Sequence, residues 1–130
     1  MTISTVGVIG LGTMGAGIAE VVARNGYRVI AAEATEEATA HGRASIEGST
    51  SRAVTRGKLT AEDQVALLER ITFTSDLGDL AVADLVIEAV SENLELKKAL
   101  LGRVDSVIGP DAILATNTSS LSVTDIAVAT

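Results

Sequence analysis

Three glycines, Gly10, Gly12 and Gly15, stand between an apolar run and a helical pattern in the segment GVIGLGTMGAGIAE, Gly7 to Glu20. Glycine disfavours a helix interior by about 1 kcal/mol relative to alanine. Three of them at a strand-to-helix turn therefore need a compensating reason, and an anion supplies one. Gly10 permits a tight turn out of the strand. Gly12 lets a pyrophosphate approach the backbone, and Gly15 lets the helix pack closely on the strand. Unpaired N–H groups at the helix start, together with the helix dipole, then hold the phosphate. Leu11, Thr13 and Met14 complete this expected cofactor-binding turn. A G-x-G-x-x-G pattern alone is a weak signal. Its weight here comes from its place between a strand, Thr5 to Ile9, and a helix, Thr13 to Asn25, with the helical pattern Met14, Ile18, Val21, Val22.

The rest of the chain alternates in the same way. Strands are expected at 28–32, 71–74, 85–88 and 112–116. A long polar helix is expected from Thr35 to about Arg56, broken by Gly57. A further helix is expected after an N-cap at Thr60, with Glu62 and Asp63 in its first turn. Residues 76–82 read as a short connection or helical turn, and Glu92 to about Ile108 as a helix stopped by Gly109-Pro110. A last helix is expected near Ser122. Nearly all-apolar strands alternating with helices imply a parallel sheet covered on both faces. The expected fold is thus a doubly wound α/β dinucleotide-binding domain, with a helical insertion between the second and third strands. Its ligands should lie along the carboxyl ends of the strands.

Composition narrows the partners. The 130 residues suffice for one domain with a real core. The chain has no cysteine, which excludes disulfides and thiolate-ligated metal sites, and no metal site is expected. A formal charge of −7 argues against nucleic acid as the main partner. No apolar run approaches the ~20 residues that span a bilayer, and no signal peptide opens the chain. A cytoplasmic home fits these features.

Four groups carry candidate chemistry. Glu33 lies about twenty residues beyond the glycines, at the end of the second strand, where an acid can accept hydrogen bonds from both adenosine ribose hydroxyls. It would repel a 2′-phosphate, and Ala34 and Thr35 supply no positive charge, so the expected cofactor is NAD rather than NADP. Lys97 continues the apolar stripe of Leu100, Leu101, Val104, Val107 and Ile108 towards the helix start, where the dipole does not favour a cation. It should face the strand ends, with Glu92 near enough to pair with it; the alternative is a lysine snorkelling to solvent. Ser91 has only a capping role on this pattern. In ATNTSSLSVTDIA, Ala115 to Ala127, Asn117, Thr118, Ser119 and Ser120 follow a strand end. They are either turn and cap chemistry or hold a hydroxyl for a substrate oxygen. His41, the only histidine, lies in the polar helix and reads as a surface residue.

Taken in order, GLGTMGAGIA, EAVSENLELKK and ATNTSSLSVTDIA around a helical insertion resemble the L-3-hydroxyacyl-CoA dehydrogenases, over nearly the whole chain. The nearest type is the monofunctional bacterial 3-hydroxybutyryl-CoA dehydrogenase. The resemblance implies NAD-dependent oxidation of L-3-hydroxyacyl-CoA to 3-ketoacyl-CoA, or the reverse, in fatty acid metabolism and β-oxidation. It implies that Glu92 and Lys97 contact NAD and that Ser119 is catalytic, bonding the reacting oxygen. It further implies that Ser49 and Arg56 contact coenzyme A. The family often carries lysine where Arg56 stands, and neighbouring Lys58 is the alternative. In the family a catalytic histidine follows the NTSS segment in an H-F-F-N-P stretch, and a helical C-terminal domain completes the acyl pocket and the homodimer interface. Residues 1–130 therefore read as an NAD-binding domain, incomplete at its C-terminal end, expected to bind the cofactor without turning over substrate. Two other interpretations stay open: a stand-alone NAD-binding module, and a hydroxy-acid dehydrogenase acting on a free acid. Against the second, such enzymes generally lack the insertion and the NTSS segment.

Overall fold

The computed structural model describes residues 2–90 and 94–116. Five parallel strands, β1 (Thr5–Ile9), β2 (Arg28–Ala32), β3 (Ile71–Thr74), β4 (Leu85–Glu88) and β5 (Ile113–Thr116), form one sheet in the order β3-β2-β1-β4-β5. The order reverses between β1 and β4, which places the crevice for a ligand at their carboxyl ends. This is the doubly wound, Rossmann-type α/β fold expected from the sequence. The expectations for Ser91, Glu92, Ser119 and the last helix lie outside the described residues.

Strand alternation sorts the core into two layers. Val6 and Val8 of β1, with Val29 and Ala31 of β2, face helices α1 (Thr13–Arg24), α2 (Glu36–Thr55) and α3 (Ala61–Glu69). Ile9, Ile30, Ala32 and Val86 face the other way, towards the 3-10 turn Leu77–Val82 and helix α4 (Leu94–Asp105). Gly7 belongs to that second face. A Cβ there would sit 2.6 Å from Leu80 Cδ2, so the missing side chain lets the 3-10 turn rest on the sheet.

The helices begin as their caps dictate. Thr35 accepts the Ala38 N–H at 3.1 Å and starts α2; Thr60 accepts the Asp63 N–H at 3.0 Å and starts α3. Within the helical pattern Met14, Ile18, Val21, Val22, Ile18 and Val22 pack half-buried against the core, whereas Met14 is 53% and Val21 56% exposed. Gly15, Ala16, Ala19 and Ala23 are buried. The close approach of α1 to the glycine turn leaves room for small residues at the contact, with Ile18 and Val22 half-buried beside them and Met14 and Val21 turned outward.

Asp84 ties the edge of β1 to β4. Its Oδ2 accepts the Ser4 N–H at 2.9 Å, the Thr5 N–H at 3.0 Å and the Ser4 hydroxyl at 3.1 Å. These bonds, the Ser4 N–H first and the Thr5 N–H next, lower its pKa below the ordinary 3.8. A carboxyl with a folded pKa below its unfolded one contributes stability above the unfolded value, and that stability is lost as pH falls through the folded value. Melting temperatures of the wild type should therefore fall more steeply than those of Asp84→Asn as pH drops from about 5 to about 3. Parallel melting curves across that range would remove Asp84 from the account.

Candidate functional site

The glycine turn leaves β1 with Gly10 at φ +91°, in the left-handed region that favours glycine. A Cβ there would also meet Val90 Cγ1 at 2.9 Å and the Ala89 backbone at 3.0 Å. At Gly15 a Cβ would lie 1.6 Å from the Gly10 carbonyl oxygen, so α1 can begin here only without a side chain. Gly12 is different in kind. It is the N-cap of α1, and a Cβ on it would meet nothing within 4 Å. No side chain caps this helix start, and its first turn holds no acid. Open space, bare backbone and the positive end of the dipole coincide at one residue, as an approaching phosphate requires.

Glu33 closes the other side. Its Oε2 accepts the Leu11 N–H at 2.7 Å, and its Oε1 accepts the Ala34 N–H at 3.3 Å. The carboxylate at the end of β2 is thereby fixed against the glycine turn. Leu11 serves this arrangement through its backbone, because its side chain is buried in the core beneath α2. Gly42 makes that possible: a Cβ on it would stand 2.5 Å from Leu11 Cβ. Gly42 was not singled out from the sequence, where it is one glycine in a polar helix.

Gly10, Gly12, Thr13, Met14 and Glu33 line one cavity of about 630 Å³. Its far wall is apolar, with Leu77, Ala99 and Leu100, and Arg103 stands among them as the one cation of the described lining. Leu11 and Gly15 shape the cavity without lining it. Ser49, half-buried, and Arg56, exposed at the C-cap of α2, lie outside it, as does the exposed His41.

Lys97 is fully buried in the first half of α4, 1% exposed, with its Nζ 3.6 Å from Glu88 Oε1. Glu88 ends β4 and is 0% exposed. Its Oε2 accepts the Val90 N–H at 2.6 Å, and its Oε1 also accepts the Thr116 hydroxyl at the end of β5. Sequence reasoning passed over Glu88 as the last residue of a strand. An acid closing the otherwise apolar Leu85-Val86-Ile87 was the available signal, since a buried carboxylate requires a partner.

A parallel sheet of this order, with the glycine turn after β1 and a fixed acid at the end of β2, defines a dinucleotide-binding domain. The family model described as the NAD-binding domain of 3-hydroxyacyl-CoA dehydrogenase matches residues 5–130. The chain belongs to that family of NAD-dependent dehydrogenases. It is 49% identical over 127 residues to the 3-hydroxyadipyl-CoA dehydrogenase of Escherichia coli, covering 98% of this chain and 27% of the relative. It is 46% identical over 129 residues to a 3-hydroxybutyryl-CoA dehydrogenase of Mycobacterium tuberculosis, covering 98% of this chain and 45% of the relative. Among solved structures, M. tuberculosis FadB2 superposes with a TM-score of 0.95 at 45% identity, over 99% of this chain and 46% of that one. The (S)-3-hydroxybutyryl-CoA dehydrogenase PaaH1 of Ralstonia eutropha follows at 0.94 and 40%, with the same coverage. The chain thus spans less than half the length of these relatives. No helix among the described residues is long and apolar enough to cross a membrane. NAD is the cofactor of this family, and the residues present fit it: an uncapped helix start with open space at Gly12, and a carboxylate held in the same cavity.

Proposed function

We propose that this chain is the cofactor domain of a cytoplasmic, homodimeric dehydrogenase that interconverts L-3-hydroxyacyl-CoA, of short chain length, and 3-ketoacyl-CoA. The observation that carries the proposal is the Glu33 carboxylate, hydrogen-bonded to the Leu11 N–H at 2.7 Å and lining one cavity with Gly10 and Gly12. When bound, NAD supplies the hydride acceptor, or as NADH the donor. The chain's own residues bind and orient. The start of α1 receives the pyrophosphate at Gly12, and Glu33 accepts hydrogen bonds from the adenosine ribose. Glu92 and Lys97 contact the cofactor, and Ser119 hydrogen-bonds the oxygen whose charge changes during the reaction. Ser49 and Arg56, on the outer helix of the insertion, contact coenzyme A. The general base comes from the longer enzyme, beyond residues 1–130.

Titrating the chain with NADH and NADPH tests the proposal. The wild type should prefer NADH, because Glu33 repels a 2′-phosphate. Glu33→Ala should weaken NADH by about 1.5–3 kcal/mol, the range for a hydrogen bond to a charged group. Equal wild-type affinity for the two cofactors would defeat the assignment of Glu33.

A further inference from the structure

We infer that Glu88 is a positioning residue for the cofactor site: its buried carboxylate holds Lys97 in place and ties it to the end of β5. The inference rests on the assignment of Lys97 as a cofactor contact.

The geometry is that of a junction. Three elements meet at one carboxylate: the segment after β4 through the Val90 N–H at 2.6 Å, α4 through Lys97 Nζ at 3.6 Å, and β5 through the Thr116 hydroxyl. Glu88 and Lys97 are both inaccessible to water. Taking an ammonium and a carboxylate out of water is costly, and apolar residues of similar volume would often serve stability as well or better. A buried pair at the ligand end of a parallel sheet therefore calls for an explanation other than packing. The shape of the junction offers one. Val90 and its neighbour Ala89 line the cavity beside Gly10. Thr116 immediately precedes the Asn117-Thr118-Ser119-Ser120 segment. One carboxylate thus fixes the cavity wall, the lysine and the strand end from which the serine segment departs. A lysine has four rotatable carbons and a strongly hydrated head. Held by Glu88, its ammonium stays at the strand ends.

Glu88→Gln keeps the shape and an acceptor but removes the charge; Glu88→Asp keeps the charge. NADH affinity of the chain is measured for the wild type, both of these variants, Lys97→Met and Glu88→Gln/Lys97→Met, with circular dichroism to score folding. Glu88→Gln should weaken NADH by about tenfold, and Glu88→Asp should recover most of that loss. The double variant should bind no more weakly than Lys97→Met, because a residue that acts through Lys97 has nothing left to position. A merely structural Glu88 would give losses that multiply in the double variant, and that result overturns the inference, as does wild-type affinity in Glu88→Gln. Should Glu88→Gln alone fail to fold, the comparison of the double variant with Lys97→Met still decides. Unchanged affinity in Lys97→Met would defeat the assignment of Lys97 itself, a separate failure from one confined to Glu88.

Discussion

The 130-residue chain by itself is expected to bind NADH and to leave acetoacetyl-CoA unreduced. The residues proposed to hold the cofactor are in place: the glycine turn, Glu33 and the cavity between them. The expected general base is the histidine that the family resemblance places in an H-F-F-N-P stretch after the NTSS segment. The sequence contains one histidine, His41, which is exposed on α2 and lies outside the cavity. A missing general base costs about 10²–10⁴-fold in rate, and the chain spans less than half of its relatives. The measurement is NADH absorbance with the purified chain beside a full-length relative, after NADH binding has been established by titration. Turnover within about tenfold of the relative would mean that these residues contain a base of their own.

The second large effect separates two glycines that the motif treats alike. Gly15→Ala should destabilise the fold by about 3 kcal/mol, at the upper end of what overpacking costs. A methyl group placed 1.6 Å from the Gly10 carbonyl oxygen cannot be accommodated by a side-chain rotation, because both partners are backbone. Gly12→Ala should leave the melting temperature nearly unchanged. Its backbone, φ −67° and ψ −168°, suits any residue, and its Cβ would enter open space. NADH affinity should nevertheless fall by about tenfold or more, because the methyl group occupies the approach of the pyrophosphate and weakens charge-assisted bonds to it. Thermal melts and NADH titrations of both variants make the comparison. A Gly15→Ala protein as stable as wild type, or a Gly12→Ala protein with full affinity, would contradict this division of roles.

Much of this architecture could be read from local sequence. The β1 to β4 spans follow directly from short apolar runs bounded by turn residues, since a buried parallel strand needs apolar side chains on both faces. The starts of α2 and α3 follow from Thr35 and Thr60, whose hydroxyls cap the nearest free N–H groups whatever the tertiary setting. The glycine turn and the acid after β2 are likewise legible, because their spacing is set by one strand–turn–helix–strand unit.

What the sequence by itself determined is this order of elements, the dinucleotide turn and the family to which the motifs point. Tertiary structure alone decided which surfaces meet. Periodicity placed Lys97 on the inward stripe of α4 but could not say that Glu88 waits there, nor that Thr116 joins them from the neighbouring strand. Nor could it say that α1 meets the sheet through Gly15, Ala16, Ala19 and Ala23, with Ile18 and Val22 half-buried beside them. The physical reason is common to both cases. A repeat along one helix or strand specifies a direction relative to its own axis, whereas the distance to the next element depends on how closely two backbones can approach. That distance is set here by Gly15 against Gly10 and by Gly42 against Leu11, contacts that exist only once the chain has folded.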